Sequence, residues 1–224
     1  MSLNLLVQNF KDNSNSDTEL LVAIHNWVRE EIKFGFTADF ESVCPKKTLE
    51  NGVGHCNAQA DLLCHLFTLA GFDARLAFVY INKEILRYSI PKLVYFFLPK
   101  KLFHAVTQVK LEGNWVSIDS YIFTKSQFSS QLNRLKQHRE NFCFGLHHRS
   151  ECRWDGKTDC FSQAQSADID EFCKVYESLA QAIKSQSNTN RILGVHFSTL
   201  LKPLAAKNGI GRRAFQSYIN QYLN

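Results

Sequence analysis

The stretch 54–61 constrains the fold more than any other part of the chain, because a glycine-bearing loop runs directly into a strongly patterned helix. Apolar residues repeat at helical spacing after the loop and form a stripe with flanking leucines (Ala60, Leu62, Leu63, Leu66, Phe67, Leu69, Ala70). A stripe this wide predicts a central helix packed on a sheet. Cys56 lies in the first turn, where unpaired N–H groups and the helix dipole favour a thiolate. We therefore predict that Cys56 is a nucleophile.

A thiolate that attacks a carbonyl needs a base and a group that orients the base, and a predicted β-hairpin carries both. Residues 102–109 and 115–119 alternate between apolar and polar positions, and Glu112-Gly113 supplies a tight turn. If those two residues are the whole loop, the pairing register makes Asp119 the diagonal neighbour of His104 on the same face. A loop one residue longer would flip that relation, so the register is a sharp prediction.

Three motifs together resemble the transglutaminase-like superfamily. They are Gly54-x-Cys56 at a helix start, Phe103-His104-Ala105 at a strand start, and Trp115-Val116-Ser117-Ile118-Asp119 in the next strand. The stretch 69–75 also resembles the helix exit of that family, and the likeness covers about residues 16 to 122. The resemblance implies an α+β fold with a papain/transglutaminase-like core, in which the nucleophile-bearing helix packs on an antiparallel β-sheet.

Carried over residue by residue, the resemblance implies a triad. Cys56 would be the nucleophile, His104 the general base and acid, and Asp119 the residue that orients His104. The expected activity is cleavage or transfer at an amide or thioester carbonyl through an acyl-enzyme, on a protein or peptide substrate and without a cofactor. Asn57 replaces the tryptophan that follows the nucleophile in animal crosslinking enzymes, and no acidic cluster resembles their calcium sites. Small bacterial-type members are the better match.

The length and the patterns indicate one structural domain with two parts. A chain of 224 residues that is 45% hydrophobic can bury one sizeable core. We predict a catalytic core over 1–130 and a mostly helical extension over 131–224. The extension is helical because its apolar residues repeat at helical spacing (Ile169, Phe172, Tyr176, Leu179, Ile183, and again Ala214, Tyr218, Tyr222). Near the amino end, Ser16-Asp17-Thr18-Glu19 has the form of a capping box, and 33–52 suits a long loop.

Charge and cysteine content restrict the partners and the compartment. A formal net charge of +5 with dispersed charges predicts no dedicated nucleic-acid surface. Seven irregularly spaced cysteines, with Cys64 and Cys173 on apolar helical faces, indicate free thiols in a reducing compartment. The sequence has neither a secretory leader at its start nor a run of about 20 apolar residues. We expect a cytoplasmic protein, with export by a route that needs no cleavable signal left open.

Two segments leave alternatives open. The run 91–99 is apolar and aromatic, so it is either a buried strand or short helix that closes the core, or a lip over the active site that recruits substrate or contacts a membrane surface. Residues 143–160 have the spacing C-x3-H-H-x3-C-x7-C, which matches no common zinc pattern, and we expect no bound metal. A catalytically silent binding module and a membrane-surface protein that uses the 91–99 run remain the alternatives to an enzyme.

Overall fold

A long central helix packs on an antiparallel sheet in the computed structural model, which describes residues 2–172, 174–192, 194–197, 199–200 and 210–223. The helices are α1 (Leu3–Asp12), α2 (Asp17–Glu31), α3 (Pro45–Asn51), α4 (Cys56–Ala70), α5 (Lys92–Phe97), α6 (Lys125–His138), α7 (Ser166–Glu171), α8 (Leu179–Ala182) and α9 (Ile210–Asn220). The strands are β1 (Lys33–Phe34), β2 (Val53–Gly54), β3 (Ala74–Asn82), β4 (Lys101–Leu111), β5 (Asn114–Ile118), β6 (Phe142–Cys143), β7 (Leu146–His147), β8 (Lys174–Tyr176), β9 (Arg191–Ile192) and β10 (Val195–His196).

Helix α4 and the main sheet form the centre of the molecule. The sheet has the strand order β5-β4-β3-β8, and the pairs are antiparallel. Helix α4 packs on β3 and β4, while α1, α2 and α3 cover its remaining surface. Most of its side chains are consequently buried, polar ones included. The predicted α+β fold is confirmed, and the helix ends at Gly71, whose φ of 103° suits glycine.

The predicted hairpin register is confirmed. Strands β4 and β5 pair Leu111 with Asn114, so Glu112 and Gly113 are the two-residue loop. Both loop residues have positive φ, 49° and 86°, as a type I′ turn requires. Asp119 directly follows β5 and therefore lies beside the end of β4 that carries His104.

The loop before Cys56 is held by a short parallel pairing. Strand β1 pairs with β2, and the Gly35 N–H donates to the Gly54 carbonyl at 3.1 Å. A side chain at Gly54 would approach Thr48 Cγ2 to 3.1 Å, so the close approach of α3 favours glycine at this position. The single long loop expected over 33–52 is thus wrong in part, because residues 45–51 form α3 with Pro45 in its first turn.

The amino-terminal helices begin close to where the sequence indicates. The Ser16 side chain accepts the Glu19 N–H and caps α2, as the capping box predicts. The Glu19 carboxylate accepts from the Asn15 N–H at 2.8 Å. Helix α1 had no counterpart among the sequence predictions. No helix in the described part of the chain has the length and apolar character that membrane spanning requires.

The helix expected over 169–183 is wrong. Residues 166–171 form α7, and β8 then pairs with β3 before α8 begins, so the segment adds an edge strand to the main sheet. Tyr176 packs against Phe78, with ring centroids 5.5 Å apart. Apolar residues at helical spacing can make such a contact from a strand as well as from a helix, so the spacing alone does not distinguish the two. Helix α9 agrees with the helical spacing of Ala214 and Tyr218. Cys173 lies outside the described residues, and the division near residue 130 remains a prediction.

Candidate active site

The Cys56 thiol lies at the start of α4 beside a large cavity. It is half-buried, and it lines a cavity of about 320 Å³ together with His104. The first N–H groups of a helix have no intrahelical acceptors, so the backbone around Cys56 presents donors. The position therefore places a half-buried thiol beside backbone groups that can hold a negatively charged oxygen.

His104 and Asp119 are in direct contact. The Nε2–H of His104 donates to Asp119 Oδ2 at 2.9 Å, and both side chains are almost completely buried. This is the diagonal relation that the hairpin register predicts. Because Nε2 is engaged by the carboxylate, Nδ1 is the ring nitrogen without a hydrogen-bond partner among the residues that the structure describes, and the Cys56 thiol donates to Asn57 Oδ1 at 3.5 Å.

Backbone N–H groups from a distant segment surround the Asp119 carboxylate. Ser162 N–H donates to Oδ1, Ala164 N–H donates to Oδ2 at 2.7 Å, and Gln163 N–H donates to both oxygens at 3.3 and 3.2 Å. The Ser162 hydroxyl also donates to the Asp119 carbonyl at 2.8 Å. These donors compensate the burial of a charged group. Sequence reasoning missed them, because a backbone donor leaves no signature in residue type.

Two buried histidines near Cys56 have pKa values shifted in opposite directions. Burial alone would lower the pKa of His104, but the charge on Cys56 and the hydrogen bond to Asp119 outweigh it and raise the pKa to about 10. Burial, assisted by the charge of His104, lowers the pKa of His55 to about 3. His104 is therefore a protonated group at neutral pH, and His55 is a neutral one.

The two other histidines near Cys56 in the sequence occupy different environments. His55 precedes α4 and stacks on Phe40 with ring centroids 4.3 Å apart. His65 is exposed on α4, two turns beyond Cys56. In contrast to His55 and His65, His104 contacts a carboxylate, that of Asp119.

A second polar cluster connects the start of α4 to the strand that carries His104. Asn57 Nδ2 donates to Glu41 Oε1 at 2.9 Å, and Asn190 Nδ2 donates to the same oxygen at 2.7 Å. Both asparagines also donate to the Phe103 carbonyl, and Asn57 accepts from the Ala105 N–H at 2.8 Å. Burial raises the pKa of Glu41 to about 7. The cluster fixes the backbone on both sides of His104.

The 91–99 run lies at the mouth of the cavity. Residues 92–97 form α5, none of whose side chains is buried, and Leu93 and Phe97 line the cavity while remaining 65% and 44% exposed. Phe96 is 74% exposed and does not line it. The run is a short helix that borders the cavity, and it also contributes to the core, since Leu98 is buried there and Val94 and Tyr95 pack against it.

The cysteines of the 143–160 segment are ordinary buried or half-buried thiols. Burial raises the pKa of Cys143 to about 11 and that of Cys160 to about 12. Within the described ranges, no three His, Cys, Asp or Glu side chains cluster as metal ligands would.

Comparisons with known proteins identify the core. A family profile described as the transglutaminase-like superfamily matches residues 5–120, just over half of the chain. A search of curated proteins finds no match. The crystal structure of a proposed cysteine protease from Cytophaga hutchinsonii matches with a TM-score of 0.39 and 21% identity, over 51% of this chain and 35% of that one. This chain thus spans about a third of that protein. The family match, over residues 5–120, includes all three predicted site residues.

Proposed function

Because the chain belongs to the transglutaminase-like superfamily, we propose that it is a cysteine-dependent enzyme that hydrolyses or transfers acyl groups through Cys56, His104 and Asp119. The observation that carries the proposal is the buried hydrogen bond between His104 and Asp119 beside a cavity that reaches Cys56. A protonated imidazole next to a thiol suits an enzyme that must both stabilise a thiolate and protonate a leaving group.

The reaction begins with attack of the Cys56 sulfur on a carbonyl carbon. The oxygen becomes negatively charged and is held by the N–H groups at the start of α4. His104 then donates its proton to the leaving amine or thiol, the bond to that group breaks, and a thioester on Cys56 remains. Asp119 keeps the imidazole oriented and stabilises its positive charge.

The second half-reaction returns the enzyme to its starting state. Neutral His104 takes a proton from water or from an acceptor amine, which attacks the thioester carbonyl. The carbon–sulfur bond breaks, and the acid or the new amide leaves. Cys56 is then free of the acyl group, and His104 holds the proton that it took from the water or the amine.

Trapping of the acyl-enzyme tests the proposal. Purified protein is incubated with short acyl thioesters and with activated amides, and intact mass followed by peptide mapping locates the adduct. We expect the adduct on Cys56, and we expect Cys56→Ala to lower turnover by at least about 10³-fold.

Cys64→Ala is the matched control, because Cys64 lies on the same helix but burial raises its pKa to about 12. This variant should keep its activity and its adduct. An adduct on another cysteine, or turnover that survives in Cys56→Ala, contradicts the proposal. Failure of Cys56 to react with iodoacetamide at neutral pH, together with no turnover, would instead indicate the catalytically silent binding module.

A further inference from the structure

The cavity beside Cys56 is apolar along most of its length. Its walls come from the loop after β1, from α5 and from α9 (Phe36, Phe40, Leu93, Phe97, Phe215, Ile219). Among the described residues, no Asp, Glu, Lys or Arg side chain lines it. A site for a charged or strongly hydrated group would need such residues or exposed hydrogen-bonding groups.

The amide side chains that line the cavity are already bonded within the protein, whereas His55 Nε2 and His104 Nδ1, beside Cys56, have no hydrogen-bond partner among the described residues. Asn57 and Asn190 bond to Glu41 and to the backbone around Phe103, and Gln163 Nε2 donates to the Gly145 carbonyl at 3.0 Å. A peptide backbone placed here would lose its hydration and gain few replacement hydrogen bonds. We therefore expect the group that binds in this cavity to be a hydrocarbon.

His55 contributes an uncharged wall next to the reactive sulfur. It stacks on Phe40 and packs against Phe36, with ring centroid distances of 4.3 and 6.3 Å, and it is 3% exposed. Burial lowers its pKa to about 3, so it adds no positive charge to this wall at physiological pH.

We propose that this cavity binds an aliphatic acyl chain of about ten carbon atoms, with the carbonyl presented to Cys56 and the amine or thiol leaving group outside. The inference rests on the proposed function, whose acyl substrate it specifies. The size follows from the volume of about 320 Å³. A cavity of about 150 Å³ holds benzene, which has six carbons, so the present cavity has room for roughly ten to thirteen carbons.

The mouth of the cavity supports entry of such a chain. Leu93 and Phe97 each have one part in the cavity and another in solvent. An apolar lip of this kind lowers the cost of moving an acyl chain from solvent or from a carrier into the interior.

The covalent step is the one described above. The Cys56 thiolate adds to the acyl carbonyl, the carbon–nitrogen or carbon–sulfur bond breaks, and the proton of His104 goes to the departing amine or thiol. No oxidant, reductant or further reactant takes part. Water then releases the fatty acid, or an amine accepts the chain.

A chain-length series tests the inference. The probes are N-acetylcysteamine thioesters and p-nitroanilides of acetate, hexanoate, decanoate and palmitate, and the readouts are kcat/KM and the mass of the Cys56 adduct. We expect kcat/KM to rise about four-fold per methylene up to about ten carbons and then to level off or fall. Comparison of the two series distinguishes a thioester-linked from an amide-linked source of the chain.

Leu93→Glu, with Phe96→Glu as its matched control, tests the path of the chain. Both residues are exposed on α5, but Leu93 alone of the two lines the cavity. Leu93→Glu should lower the ratio of decanoyl to acetyl kcat/KM about ten-fold, and Phe96→Glu should leave it unchanged. Equal loss in both variants would mean non-specific adsorption and overturn the inference.

The remaining outcomes separate the inference from the function on which it rests. If all chain lengths acylate Cys56 equally, or if an N-acetylphenylalanine thioester exceeds the decanoyl one, the acyl-chain site is wrong and the cysteine enzyme stands. If no probe acylates Cys56, both proposals fail.

Discussion

The two sides of Cys56 differ in the kind of groups that they bury. On the side of Asp119, polar groups are buried together and bond to one another, whereas on the cavity side hydrocarbon surrounds the neutral His55. His104 and His55 are similarly buried, yet the charge on Cys56 and the hydrogen bond to Asp119 raise the pKa of His104 to about 10, whereas the pKa of His55 is lowered to about 3. Substitutions on the polar side should thus alter catalytic rate, and those on the cavity side should alter selectivity.

The largest expected effect lies on the polar side. Asp119→Asn removes the carboxylate that accepts the His104 Nε2–H and that helps to raise the pKa of His104, so kcat should fall about 10²- to 10⁴-fold. The pKa of His104, about 10, predicts loss of activity as pH rises through that value. In Asp119→Asn this alkaline limb should move to lower pH. A pH–rate profile from 5 to 11 measures both changes. If the alkaline limb does not move, Asp119 does not influence the pKa of His104.

The next effect concerns stability on the cavity side. The pKa of His55 is about 3 in the folded protein and near 6.5 when unfolded, so the unfolded chain binds the proton first as pH falls from 6.5 to 3. The presence of His55 should thus lower the free energy of unfolding by about 4 kcal/mol as pH falls from 7.5 to 3. His55→Phe preserves the stack on Phe40 and should abolish this loss in urea titrations at several pH values. The exposed His65→Phe is the control, and an equal change there would refute the assignment.

Glu41 should show the opposite pH dependence. Its pKa is about 7 in the folded protein against 4.5 in the unfolded chain, so stability should fall by about 3 kcal/mol as pH rises from 4.5 through 7. Glu41→Gln keeps an acceptor oxygen for Asn57 and Asn190, and it should be more stable than the wild type at pH 8. Denaturant titrations at pH 5 and 8 measure the difference. Glu50→Gln, at an exposed position, should change neither value.

The smallest effect is expected at the cavity mouth. Phe96 is 74% exposed and lies outside the cavity lining, so Phe96→Ser should change the unfolding free energy by less than about 0.5 kcal/mol. A thermal melt measures this change. Destabilisation by several kcal/mol would show that α5 closes the core after all.

The parts of the structure that local chemistry determines were predictable from the sequence. The two-residue turn at Glu112-Gly113 fixes the β4–β5 register, and that register brings Asp119 to His104. The apolar stripe after Cys56 likewise fixes the burial of α4.

Long-range pairings were not predictable in the same way. The spacing of Ile169 to Ile183 fits a helix, but an open edge on β3 recruits residues 174–176 into the sheet. Glu41 lies in a segment without periodicity, so nothing local indicated that Asn57 and Asn190 would meet there.

The carboxylate of Asp119 is held by amides that every residue except proline possesses. Substitutions at 162–164 other than proline should therefore keep the N–H donors that hold the Asp119 carboxylate against His104, provided that the new side chains fit the space available.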